Sequence, residues 1–370
     1  MRKINHSVLL YACVVLLFLF SALQGSADTL SVVENQVTFT GHYETTPTLS
    51  NYGAHDLMVY TSREMVNTGF FDQGDIYYQA LWEGKPVGTP VQVTANFTDD
   101  TLNDVSGNHI VFTAYDDTKL PSGNIMLYTI SSGQLRSIRN ANIIQEPKIH
   151  DNYVVWCEGE TNAAVVMIFD LSNPTGMAEP LTESFPPTYS VEIGNRFVVW
   201  AEYDGIDFDI VAFDLHTGFR HNLTNSKFTD ERQPVTSGNW IVWQAIDIAS
   251  PMSRIEAYDA TTSTMHVIVD NGAYNRLPSI DGDLISYEAD PKGDFDVFVY
   301  RISTRETFNV TIAPGNQYLN NVNGNLVSYV DLRSGNEDVY VATLNFLAPD
   351  PCASSEDDSD DDSVCDADDN

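Results

Sequence analysis

One short pattern recurs seven times along this chain of 370 residues, and the repetition limits the folds that the chain can adopt. Each copy is an apolar segment that ends in an aromatic residue, as in "YVVW", "FVVW" and "WIVW". The aromatic residues are Tyr60, Phe112, Trp156, Trp200, Trp243, Tyr287 and Tyr329. Their spacings are 52, 44, 44, 43, 44 and 42 residues. A period near 44 is typical of propeller blades or of two-helix solenoid repeats.

The residues within each copy favour strands over helices. They are rich in Val, Ile, Tyr, Phe, Trp and Thr, they alternate over short runs, and Gly, Asn and Asp interrupt them. After the N-terminal segment, no stretch shows the sustained periodicity of a helix. We therefore predict four strands in each copy. Turns such as Gly194-Asn195 join the first strand to the second.

The seventh copy lacks a fourth strand, whereas the chain begins with a strand-like segment that belongs to no copy. This segment is "VVENQVTFT", residues 32–40. Its pairing with the last copy would remove the open ends of a linear array. We therefore predict an all-β fold, a single seven-bladed β-propeller of four-stranded blades over residues 28–347. The N-terminal strand is expected to complete the last blade.

Three copies carry the resemblance to a known family: "IGNRFVVWAEYDGIDFDIVAFDLHTGFRHNLT", "DGDLISYEADPKGDFDVFVYRIST" and "NGNLVSYVDLRSGNEDVYVATL". They resemble the repeat of TolB-like β-propellers, which occur in exported and cell-surface proteins of bacteria and archaea. The resemblance implies a fold for most of the chain. It implies no single function, because such repeats serve in docking, scaffolding and some enzymes. It does not extend to the N-terminal α/β domain of TolB or to the hydrolase domain of propeller peptidases.

Both ends of the chain suggest an exported protein. Residues 1–27 have the parts of a signal peptide, namely Arg2 and Lys3, an apolar core and the small residues "GSA". No later segment is long and apolar enough to span a membrane, so we expect a secreted, periplasmic or cell-surface protein. Cys157 lies in an apolar strand and is expected to be a buried free thiol. Cys352 and Cys365 form a candidate disulfide for an oxidising compartment.

The charge of the chain limits its partners. It has 18 Lys+Arg against 52 Asp+Glu, a net charge of −34. Ten of the acids fall within residues 348–370, for which we predict a disordered acidic tail. Such a chain repels nucleic-acid phosphates and anionic lipid surfaces. We expect a monomer whose partner is a protein or a glycan.

The longer loops of the repeats indicate where binding residues lie. The turns after the first and third strands are short, so the longer loops and the blade connections share the opposite face, which we expect to bind the partner. Acidic candidates on this face are Asp204, Asp207, Asp290, Asp294 and Asp331. Calcium coordination is one interpretation of these acids, with Asp290, Asp294 and Asp296 as candidate ligands. The other is that they cap turns.

Two arginines occupy equivalent positions in neighbouring copies. Arg232 and Arg276 each lie eleven residues before the strand-ending aromatic. They would either clamp a carboxylate at the mouth of the central channel or pair with neighbouring acidic loops.

We predict a non-catalytic binding or scaffold module that acts through the loops. The alternative is a carbohydrate-active enzyme, a polysaccharide lyase-like propeller acting on an acidic glycan. It would use the arginines together with His55, His109 and His150, whose positions within their copies differ. The sequence has no nucleophile elbow, P-loop or dinucleotide fingerprint. We expect no cofactor, with calcium as the one ion that the acidic loops could bind.

Overall fold

The alternation of apolar and polar residues forms β-strands throughout the described part of the chain. The computed structural model describes residues 29–67, 70–71, 73–115, 122–160, 162–173, 175–183, 187–250 and 252–347. The predicted signal peptide (1–27), the predicted acidic tail (348–370) and the candidate disulfide Cys352–Cys365 lie outside these residues and stay predictions. Within the described ranges, no helix is long and apolar enough to cross a bilayer.

Leu30–Asn345 form one compact unit. The second unit is Met1–Thr29 with Phe346–Asn370, and its only described residues are Thr29, Phe346 and Leu347. These three residues are ends of strands.

The strands follow one another along the chain with short connections. The first seven are β1 (Thr29–Gln36), β2 (Tyr43–Tyr52), β3 (His55–Arg63), β4 (Met65–Asn67), β5 (Phe70–Phe71), β6 (Asp75–Trp82) and β7 (Lys85–Gln92). The next seven are β8 (Asp99–Ser106), β9 (His109–Tyr115), β10 (Ser122–Thr129), β11 (Gln134–His150), β12 (Tyr153–Glu160), β13 (Ala163–Asp170) and β14 (Glu179–Pro180).

The second half of the chain continues in the same way. Its first eight strands are β15 (Thr188–Ile193), β16 (Phe197–Tyr203), β17 (Phe208–Asp214), β18 (Phe219–Asn222), β19 (Thr229–Ser237), β20 (Trp240–Asp247), β21 (Ser253–Asp259) and β22 (Thr264–Val269). The last are β23 (Asn275–Asp281), β24 (Leu284–Ala289), β25 (Asp296–Arg301), β26 (Glu306–Asn309), β27 (Gln317–Asn323), β28 (Leu326–Asp331) and β29 (Asp338–Leu347).

The strands form antiparallel sheets that follow the sequence repeats. The four-stranded sheets are β2-β3-β6-β7, β15-β16-β17-β18, β19-β20-β21-β22, β23-β24-β25-β26 and β1-β29-β28-β27. Two copies form a single seven-stranded sheet, β14-β13-β12-β11-β10-β9-β8. The sequence predicts a break between the fourth strand of one copy and the first of the next. This prediction is wrong at β11, which runs without a break from Gln134 to His150 and belongs to both copies.

The first strand belongs to the last sheet, where β1 lies beside β29. Its bounds, Thr29–Gln36, begin and end earlier than the predicted segment, residues 32–40. The backbone N–H of Val37 still donates to the carbonyl of Val339 at 2.8 Å, so the contact continues past the end of β1.

The recurrent aromatic residues are buried, as the repeat predicts. The prediction that they end their strands is wrong, because each strand continues past the aromatic one, as β12 and β16 do. Trp156, Trp200 and Trp243 are each 0% exposed. Trp200 packs against Val155 and Cys157 of the preceding repeat, so these side chains join neighbouring sheets. Cys157 is a buried free thiol, which confirms the prediction.

The innermost strands share an irregularity that the sequence does not reveal. In five of them a residue other than glycine has a positive φ, between 48° and 56°. These residues are Thr46, Leu102, Ser190, Gln233 and Leu277. Each lies where the register shifts against the next strand. A proline follows three of them and suits this position because it has no N–H to donate.

Hydrogen bonds from short polar side chains link the inner hairpins of neighbouring repeats. The side chain of Ser50 accepts from the N–H of Gly107 at 2.9 Å, and Asn195 accepts from Gly238 at 3.0 Å. The same contact joins Ser106 to Asp151, Ser237 to Gly282 and Asp281 to Gly324. Each bond fixes the distance from one repeat to the next.

Candidate functional site

The long loops and the connections between sheets leave the same end of the sheets, because neighbouring strands are antiparallel. We call this end the loop face. Its described segments include 37–42, 93–98, 204–207, 223–228, 248–250, 270–274, 290–295, 310–316 and 332–337.

Large hydrophobic side chains are unusually exposed on the loop face. Phe97 is 93% exposed, Ile312 is 84% exposed and Phe228 is 80% exposed. Phe39, Ile206 and Ile248 are also more than half exposed. Met177 and Phe219 are comparably exposed but lie on other parts of the molecule. The backbone N–H of Ile248 donates to the carbonyl of Phe228 at 3.0 Å, so these two segments lie side by side.

Three of the acidic loop residues come together on this face. One carboxylate oxygen from each of Asp204, Asp207 and Asp209 lies within 4.8 Å of the others. The turn that brings them together is closed by Asp204, whose side chain accepts from the N–H groups of Ile206 and Asp207 at 2.8 and 3.3 Å. Asp209 accepts from the hydroxyl of Thr224 at 3.3 Å.

Two of the three acids, Asp207 and Asp209, are buried, whereas Asp204 is exposed. Burial and the neighbouring carboxylates raise the pKa of Asp207, and they raise the pKa of Asp209 to about 6. Glu231 is 3% exposed, and burial together with Asp209 raises its pKa to about 8. These shifts mean that full ionisation of the group costs free energy unless a cation is present.

A repeated hydrogen bond explains the acid at the start of the third strand. A threonine in the connection after the fourth strand makes two hydrogen bonds to the start of the third strand. Its hydroxyl accepts from the backbone N–H of the residue that follows the acid, and it donates to the carboxylate of the acid. It does so in the pairs Thr94–Asp75, Thr224–Asp209, Thr311–Asp296 and Thr38–Asp338. Capping of the strand therefore accounts for Asp296, one of the candidate calcium ligands.

The remaining acidic candidates are not grouped in the same way. Asp290 accepts from the N–H of Tyr274 at 2.9 Å, and Asp294 is exposed. Among the described residues, Asp290, Asp294 and Asp296 do not form a group close enough to share one ion. Asp331 is fully buried and is held by Arg333, whose Nε donates to it at 2.7 Å.

Both arginine candidates contact acids and aromatic rings. Arg232 pairs with Asp230 at 2.5 Å and lies over the ring of Phe208. Arg276 donates from Nε to the buried Glu288 at 2.7 Å and lies over the ring of Phe295. Neither lines the central cavity. Pairing with acids is thus the arrangement that the structure has, and clamping of a ligand carboxylate stays a prediction.

A cavity of about 720 Å³ lies between the inner strands β2, β8, β11, β15, β19, β23 and β27. Its lining includes Lys148, whose Nζ is 3.7 Å from the carboxylate of Glu192. Of the three inner-strand histidines, only His150 is among the lining residues. The ring of His55 packs against Trp82 instead, with the centroids 5.2 Å apart. The three histidines therefore do not meet at one site.

Sequence reasoning missed two features of the loop face, Glu231 and the exposed aromatic residues. A signal for both is present, because the sequence F-T-D-[DE] occurs in two connections, at residues 97–100 and 228–231. In both, the phenylalanine is exposed and the last acid is buried. In this pattern the phenylalanine, an apolar residue in a polar connection, indicates an exposed side chain on the loop face. The last acid indicates a buried carboxylate at the start of the inner strand.

The raised pKa of Glu231 predicts how stability depends on pH in the absence of metal. In the folded state Glu231 keeps a proton up to a pKa of about 8, whereas in the unfolded chain it loses the proton above a pKa of 4.5. The protonated Glu231 therefore contributes its full stabilisation below pH 4.5, and this stabilisation is lost as the pH rises through about 8. Glu231→Gln should reduce the loss of stability between pH 5 and 8 by roughly 1–2 kcal/mol. Urea unfolding with a chelator present measures it. The exposed Glu179→Gln is the control, and an unchanged profile in Glu231→Gln would contradict the prediction.

Comparisons with known proteins support the fold. The β-propeller domain of the Trilobed protease from Pyrococcus furiosus has a TM-score of 0.63 at 15% identity, over 83% of this chain and 97% of that one. The oligogalacturonate lyase from Vibrio parahaemolyticus has a TM-score of 0.56 at 10% identity, over 85% and 97%. TolB from Acinetobacter baumannii has a TM-score of 0.49 at 12% identity, over 73% and 80%. No family model matches the sequence, and neither does any curated protein.

The β-propeller fold expected from the repeat is thereby confirmed. The first two structures carry this conclusion, and at these identities they establish the fold alone.

Proposed function

We propose that this chain is an exported β-propeller that binds a protein or a glycan through its loop face and does not catalyse a reaction. The exposure of large hydrophobic side chains on that face carries the proposal, together with the adjacency of the segments of Phe228 and Ile248, because grouped apolar surface marks an interaction site. Export is proposed from the signal-like residues 1–27.

The composition of the loop face favours a protein over a glycan. Its exposed residues include the aliphatic side chains of Ile206, Ile248 and Ile312 as well as phenylalanines. Sugars are held mainly by aromatic faces and polar groups, whereas the buried core of a protein interface is apolar as a whole and can take aliphatic side chains as well. The acids of the same loops would favour a partner with a basic rim around an apolar centre.

The proposed architecture behind this face has seven blades and is closed by the N-terminal strand. The support comes from Thr38, which bonds Val339 N–H at 2.9 Å and the carboxylate of Asp338 at 3.4 Å. In three other repeats, a threonine of the same sheet's own connection makes these bonds, as Thr224 does for Asp209. Thr38, which follows β1, therefore makes the bonds that a threonine after a fourth strand of the last repeat would make. This supports the proposal that β1 replaces that missing strand.

Loop-face substitutions test the binding proposal. Phe97→Ser, Phe228→Ser and Ile312→Ser should each weaken binding by roughly tenfold or more, since central apolar anchors carry most of the energy of an interface. Stability should change little, because these side chains are exposed in the free protein. The measurement is the affinity of the full chain for surface-protein and polysaccharide fractions of the cells that make it.

Met177→Ser and Phe219→Ser are the matched controls, because they remove equally exposed side chains elsewhere. Equal losses in these controls, or full binding in all three loop-face variants, would contradict the proposal. Retention of the polysaccharide fraction alone would identify a glycan as the ligand.

The lyase alternative requires a base and a cationic group around one bound uronide. The oligogalacturonate lyases among the similar structures share the fold, and one of them is in complex with manganese. In this chain Lys148 and His150 line the cavity, whereas Arg232, Arg276, His55 and His109 do not. Release of unsaturated products from an acidic oligosaccharide, followed by ultraviolet absorbance, would establish the alternative and overturn the non-catalytic proposal.

A further inference from the structure

The loop of residues 204–209 has the donor atoms of a metal site. Its sequence, "DGIDFD", places three carboxylates within six residues, and their oxygens lie within 4.8 Å of one another. Hydrogen bonds within the turn position Asp204, while Asp209 is held by Thr224. The group is therefore preorganised by contacts that leave carboxylate oxygens available.

The central acid of this loop is buried without a partner. Asp207 is 2% exposed, and neither of its carboxylate oxygens has a hydrogen-bond partner among the described residues. The adjacent inner strand adds Glu231, which is 3% exposed and whose Oε2 also has no partner there. Buried carboxylates without donors are costly, so these oxygens point to a bound cation.

The equivalent positions of other repeats do not share this arrangement. Asp294 takes the place of Asp207 in the "DFD" of a later repeat, but it is exposed. In the last repeat Asn336 occupies that place, and its Nδ2 donates to the carbonyl of His42 at 2.7 Å. The buried, unpartnered acid is thus a property of one loop and not of the repeat.

We propose a calcium site on the loop face whose protein ligands are the carboxylates of Asp204, Asp207 and Asp209. Calcium takes about six to eight oxygen ligands in flexible geometry, so carbonyls and water can complete the set. Magnesium keeps more of its water and requires stricter octahedral geometry. Zinc and copper favour nitrogen and sulfur donors, and this group contains only oxygen.

The site would stabilise the segments that carry two of the exposed apolar residues. Ile206 lies between Asp204 and Asp207, and Phe228 lies three residues before Glu231. The calcium proposal does not depend on the binding proposal, because it concerns the free protein.

Thermal unfolding of the full chain tests the site. After treatment with a chelator, calcium should raise the Tm in a saturable way, by roughly 3–6 °C at a hundredfold excess over its Kd and at constant ionic strength. Asp207→Asn should abolish this rise. It should also raise the Tm of the metal-free protein, because it removes a buried charge without breaking a hydrogen bond.

Asp294→Asn is the matched control, since it removes the exposed acid at the equivalent place and should keep the full calcium response. Asp204→Asn is a second test, because its amide oxygen can still accept the turn's hydrogen bonds. It should weaken calcium binding by about tenfold or more in isothermal titration.

Three outcomes would overturn the proposal. They are the absence of a calcium response in the wild-type protein, an unchanged response in Asp207→Asn and Asp204→Asn, and an equal response to magnesium. A response that survives both substitutions would assign calcium binding to another part of the chain.

Discussion

Arg333→Met should lower the free energy of unfolding by about 3–5 kcal/mol, because it leaves a buried carboxylate without its counter-charge. Asp331 is fully buried, and its oxygens accept from the backbone N–H and the Nε of Arg333, both at 2.7 Å. Arg333 also donates to Glu34 of β1 at 3.2 and 3.3 Å. The substitution therefore weakens the attachment of the first strand as well.

The double variant Asp331→Asn/Arg333→Met is the control, and it should recover most of the lost stability because the buried charge is gone. Denaturant unfolding measures both free energies. Limited proteolysis provides a second readout, since cleavage near β1 should be faster in the single variant. A loss below about 1 kcal/mol in Arg333→Met would show that the pair is effectively solvated.

Trp200→Ala should destabilise the protein by about 3–5 kcal/mol, the usual cost of removing a large aromatic side chain from a packed core. Trp200 is 0% exposed and packs among Val155, Val191 and Val211 between two neighbouring sheets. Its Nε1 also donates to Glu202 at 3.3 Å, so truncation removes a buried hydrogen bond together with the apolar contacts. Urea unfolding, followed by tyrosine or far-ultraviolet signals, measures the change.

Trp82→Ala is the matched control because Trp82, the last residue of β6, is 49% exposed. It should cost less than about 1 kcal/mol. A similar loss in both variants would mean that the recurrent aromatic residue does not join the sheets.

The repeat alone was sufficient to predict the buried aromatic residues and the order of the strands. Copies that recur about every 44 residues are expected to fold into equivalent units. Trp156, Trp200 and Trp243 were therefore expected to occupy equivalent buried positions in their units. The join at β11 could not be predicted in the same way. Residues 134–146 contain no Gly or Pro, but neither do residues 219–233, where β18 and β19 are separate strands, so these residue types do not distinguish the two connections.

The details of the loop face depend on neighbours that no single repeat contains. Asp207 and Asp294 both lie in the sequence "DFD", yet one is buried and the other exposed. The shared sequence therefore does not determine the burial of its first acid. The positive φ of Leu102 and Leu277 was equally hidden, because leucine gives no signal of a left-handed backbone.

The hydrogen bonds that join the inner hairpins have a consequence for how such a chain can diverge. Their donors are backbone N–H groups, and their acceptors are whichever short polar side chain is present, as in Ser50, Asn195 and Asp281. No pair of side chains has to change together when one repeat drifts away from the next. A repeat from elsewhere in the chain could therefore be placed beside a new neighbour and still form this hydrogen bond. Such a fold can evolve by duplication of a repeat followed by independent sequence divergence of the copies.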